Sequence, residues 1–236
     1  MQDSSQLSFL RLAAVGLITT ALVGCVTSTP TIDTSPTAEL SFDGLSPVKG
    51  GRMDAAWART DFSLQSYSKV MLQGIGIEYR PDGESRRRTI STSKSEHFEI
   101  TPQQKELFQA AMREVLLEEM AKGEHFKLVT EPGSDVLLVR VGLLDVASFV
   151  PPDPVGNADI YLSRVGEATL VLELRDSVTE AILLRGVDRR AAEDASGLMT
   201  ESNRAMNTAE VRRLARTWAI IVRDGLDHYM SSPAAE

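Results

Sequence analysis

Two periods organise most of the chain, with apolar residues recurring every second position in some stretches and at helical spacing in two others. Lys69–Tyr79 is rich in β-branched and aromatic residues and reads as a strand, with Gly74 and Gly76 suited to a bulge or the close approach of another backbone. At 101 the period changes. Thr101 can cap a helix, Pro102 takes its first position and Gln104 completes a capping box. Leu107, Phe108, Ala111, Met112, Val115, Leu116 and Met120 then fall on one face, and Gly123 ends the helix. A short strand over 126–130 and the turn Glu131-Pro132-Gly133-Ser134 lead to a long strand over 135–149. There Leu137, Val139, Val141 and Leu143 make one face wholly apolar, while Leu138, Arg140, Gly142 and Leu144 make the other mixed. Pro151-Pro152-Asp153-Pro154 stops the pairing and opens a loop to about Gly166. A hairpin follows, in which Ala168, Leu170, Leu172 and Leu174 alternate with polar residues before a turn over 176–180 and a return strand over 181–190. Asn207 and Glu210 form a second capping-box pattern. The helix behind it gathers Val211, Leu214, Ala215, Trp218, Ile221, Val222, Leu226 and Tyr229 on one face.

The order β-α-β-β-β-β-α over residues 67–230 predicts an α+β, two-layer sandwich: a mostly antiparallel sheet of about five strands with two helices on one face. Treating both short turns as hairpins fixes the strand directions. The loops over 151–166 and 191–207 then gather at one end, where the amino-terminal arm enters, and the Arg86 loop lies at the other. Long loops on a packed scaffold commonly carry binding, so Tyr161, Arg164 and Met199 are the candidate partner contacts. The plainer alternative is that both loops cover the edge of the core.

The flanks are of a different character. Residues 25–40 are mostly Thr, Ser and Pro, which bury too little surface to offset chain entropy, and they read as a flexible tether. Residues 41–66 mix turn formers with isolated large apolar side chains, an irregular arm expected to pack on the domain through Phe42, Leu45, Trp57 and Phe62. The last six residues, 231–236, read as a frayed tail. Arg86-Arg87-Arg88 stands out in a polar loop, either keeping it hydrated or forming a docking patch.

Composition narrows the function. A formal charge of −8 disfavours nucleic acid as a partner. His97, His125 and His228 are far apart and Cys25 is the single cysteine, so a metal site is not expected. There is no HExxH, GxSxG, Walker or EF-hand pattern, and Gly74-Ile75-Gly76 lacks the third glycine and the helix that a phosphate cradle requires. No catalytic residue and no cofactor is therefore assigned.

What remains distinctive is the amino terminus. Residues 12–23 form an apolar run too short to span a bilayer, preceded by Arg11 and closed by Leu22-Val23-Gly24-Cys25, the layout of a secretory signal over residues 1–24. This stretch resembles the bacterial lipobox. The resemblance implies cleavage between Gly24 and Cys25, diacylglycerol on the Cys25 thiol and a fatty acyl group such as palmitate on the new amino terminus. With Cys25 modified, no intramolecular disulfide can form. Val26, where Asp would favour inner-membrane retention in the lipoproteins this motif resembles, implies the outer membrane, with the inner membrane the alternative. Gly44-Leu45-Ser46, Asp54-Ala55-Ala56-Trp57, Tyr67-Ser68-Lys69-Val70-Met71, Asp176-Ser177-Val178-Thr179-Glu180 and Trp218-Ala219 together resemble a family of uncharacterised proteobacterial lipoproteins, a domain of unknown function. The expectation is a lipid-anchored periplasmic protein of the cell envelope, a non-enzymatic interaction or assembly module with an envelope protein as partner. A small-ligand or lipid binder with a pocket beneath the sheet is the alternative, followed by an enzyme.

Overall fold

The long apolar stretch over 135–149 becomes an interior strand of the sheet. The computed structural model describes residues 30–81, 97–151, 159–193 and 198–231. Among these the elements are β1 (Thr31–Ile32), β2 (Ser46–Lys49), β3 (Ala55–Ala58), β4 (Lys69–Tyr79), α1 (Pro102–Met120), β5 (Lys127–Val129), β6 (Val136–Ser148), β7 (Tyr161–Leu162), β8 (Arg164–Asp176), β9 (Ile182–Glu193), β10 (Thr200–Glu201) and α2 (Arg204–Ser231). One sheet has the order β1-β2-β3-β9-β8-β6-β4-β5, and β7 and β10 pair as a separate ribbon. The α+β class holds, but the five-stranded sheet does not: the main sheet has eight strands. The three additional strands come from the segments read as tether and arm. β3 pairs antiparallel with β9, covering an edge that would otherwise leave a row of backbone groups unpaired. Its sequence, Ala-Ala-Trp-Ala, carries no apolar–polar contrast, so no period announces it.

The second correction concerns direction. β5 and β6 both run parallel to β4, one on each side of it. The Glu131–Ser134 turn is thus no hairpin; it returns the chain past the start of β4, where the amides of Ser68 and Lys69 donate to Asp135 O at 3.0 and 3.1 Å. The return is short because β5 is only three residues long. From β6 onward the chain does run antiparallel, β6 with β8 and β8 with β9.

Both helices pack on one face, as the pattern of apolar positions requires. Val139, Val141 and Leu143 of β6 stand opposite Leu174, Leu172 and Leu170 of β8 and share one buried cluster with Met112, Val115, Trp218, Val222 and Leu226. The α1 capping box forms as its sequence indicates, Gln104 N donating to Thr101 Oγ1 at 3.3 Å and Thr101 N to Gln104 Oε1 at 2.8 Å. α2 begins four residues earlier than expected, capped at Asn203 rather than Asn207. Asn203 Oδ1 accepts from Met206 N at 3.0 Å, while Asn207 turns to Ser202 and Glu210 is buried within the helix. The arm packs through buried Leu45 and through Phe62, whose ring meets Tyr229 edge-on at 5.3 Å. Phe42 departs from that reading: it is 92% exposed, with the Arg185 guanidinium 4.6 Å above its ring.

Candidate interaction surface

Strand direction decides which loops share an end. β4, β6 and β9 run toward one end of the sheet, and α1, β8 and α2 start there. The connections after β6 and after β9 therefore meet, and the β7–β10 ribbon ties them: Tyr161 is opposite Glu201, Leu162 is opposite Thr200, and Ser202 N donates to Ile160 O at 2.7 Å. The gathering of these two loops is as expected. Pro81 and His97, which flank the Arg86 loop, lie at this same end rather than the opposite one, His97 Nε2 lying 3.1 Å from Pro81 O. Arg86-Arg87-Arg88, like Gly24 and Cys25, lies outside the described residues.

The candidate contacts fare differently on this rim. Tyr161 is 53% exposed and Met199 64%, and Leu198, which periodicity did not single out, is 68% exposed. Arg164 is engaged instead, its guanidinium 4.7 Å over the Phe149 ring and 3.5 Å from Glu167 Oε2. It belongs to a charged network on the sheet face away from the helices.

That network is built by four adjacent strands. A register shift between Leu144 and Ala147, with Asp145 at φ 54°, marks a bulge that turns the Asp145 carboxylate toward its neighbours. Arg80, just past β4, grips it bidentately at 2.7 and 2.6 Å and donates to Glu167 Oε1 at 2.7 Å. Arg189 closes the square, 2.7 Å from Glu167 and 3.1 Å from Asp145. Hydrogen bonds from Arg80 hold the Asp145 carboxyl below the usual range. Burial pushes Glu167 up, but the bonds from Arg80 and Arg189 outweigh it and hold this group low as well. Toward the other end of the same face, Glu173 binds Arg175 and Arg185, and Arg185 also reaches Asp43 at 2.8 Å. Periodicity marks none of Arg80, Asp145 and Arg189, although a single Asp between Leu144 and Val146 in an apolar strand is an available signal.

These arrangements set what the surface can do. Every carboxyl with a resolved shift among the described residues lies below its ordinary value, so the network is a set of fixed ion pairs without an acid poised near neutral pH. Between sheet and helices, Leu143, Leu170 and Trp218 line a gap of about 20 Å³, the size of a single water. Ligand pockets run to roughly 300–1,000 Å³. A wider hollow of about 410 Å³ at the opposite end of the sheet is open to solvent, formed by the 130–135 return and the Lys69–Asp135 ion pair.

Several solved structures are similar. One is protein XCC0632 from Xanthomonas campestris, of the DUF330 family model, at 10% identity and a TM-score of 0.42, covering 72% of this chain and 89% of that one. Another is the hypothetical protein CT253 from Chlamydia trachomatis, at 11% identity and a TM-score of 0.39, covering 71% and 99%. A third is the PelC dodecamer from Paraburkholderia phytofirmans, at 8% identity and a TM-score of 0.34, covering 68% and 91%. No curated protein matches the chain in sequence. The model of one family does, over residues 35–220, and on that match the chain belongs to the family described as Protein of unknown function (DUF3313).

Proposed function

We propose that the protein is a lipid-anchored component of the bacterial cell envelope, held by acylated Cys25 on the periplasmic face of the outer membrane, and that it works by docking to other envelope components rather than by turnover. The observation that carries this reading is Leu22-Val23-Gly24-Cys25 at the end of a short apolar run, followed at once by a Ser/Thr/Pro-rich stretch. One acyl chain holds a protein to a bilayer only reversibly, at roughly 0.8 kcal/mol per buried methylene, whereas two or three chains on one residue make release negligible. Val26 favours the outer membrane over the inner.

The docking half rests on the domain itself. The gap between its sheet and helices that Leu143, Leu170 and Trp218 line has room for about one water, its charged face carries fixed ion pairs, and among the described residues Tyr161, Leu198 and Met199 are exposed on one rim. The experiment is fractionation of cells making the full chain and its Cys25→Ser variant. The wild type should stay with membranes through a high-salt wash and the variant should become soluble. A variant that remains with membranes after that wash contradicts the reading.

A further inference from the structure

We draw no further inference here: the strongest candidate, the surface patch of exposed Tyr161, Leu198 and Met199 at the end of the sheet where β6 and β9 finish, carries nothing further because nothing in the structure shows what covers it.

Discussion

At the scale of single residues, the most consequential contact is the one that locks helix to sheet. Trp218 is 2% exposed and its Nε1 donates to Asp188 Oδ2 at 2.7 Å; Asp188 also accepts from Arg190 at 2.5 Å and from the Asp54 amide at 3.2 Å. One carboxylate thus joins α2, β9 and the arm. Trp218→Ala should cost about 3–5 kcal/mol, seen as a lower urea midpoint, and an unchanged midpoint would mean that the ring is not in the core. The outer face has its own signature in pH. Glu167 and Asp145 have folded-state pKa values below their unfolded ones, so the stability they contribute is complete above the ordinary carboxylate range near 4 and is lost as pH falls through the lower folded values. Unfolding midpoints should therefore drop on acidification below about pH 4, and Glu167→Gln should flatten that drop. A variant with the wild-type acid profile would show that the network contributes nothing.

Among the elements, legibility followed how far each is specified by its own side chains. α1 declared itself because Thr101, Pro102 and Gln104 act locally, and the capping box forms as read. α2 began early because Asn203 caps alone, without the Glu or Gln three residues on that makes a box, and Asn207 with Glu210 imitated one further along. β3 was missed because four residues with three alanines are held by the β9 edge, a partner far away in sequence. The Glu131–Ser134 turn was misread because turn residues announce a change of direction but not which strand lies in between. The loops over 151–166 and 191–207 still met, since their shared end depends only on the two reversals after β6, which are real. The network around Asp145 was hidden for a different reason, as it exists only once a bulge shifts the β6–β8 register. Gly166 belongs to that irregularity: a Cβ there would stand 2.6 Å from Ala147 O. Gly166→Ala should cost about 1–3 kcal/mol by forcing the two strands apart, and a variant as stable as the wild type would show that the strands can give way.

For the whole molecule, the fold converts sequence order into orientation. The strand directions place the exposed Tyr161, Leu198 and Met199 at the end of the sheet where β6 and β9 finish. Between sheet and helices the gap lined by Leu143, Leu170 and Trp218 holds about one water, and the outer face carries fixed ion pairs. The proposed attachment to the envelope depends on Cys25. Its most direct test is the mass of the amino-terminal peptide of the protein extracted from the envelope. A peptide that begins at Cys25 and carries diacylglycerol and a fatty acyl group is the expected result, and one that retains residues 1–24 or bears a free Cys25 thiol would contradict it.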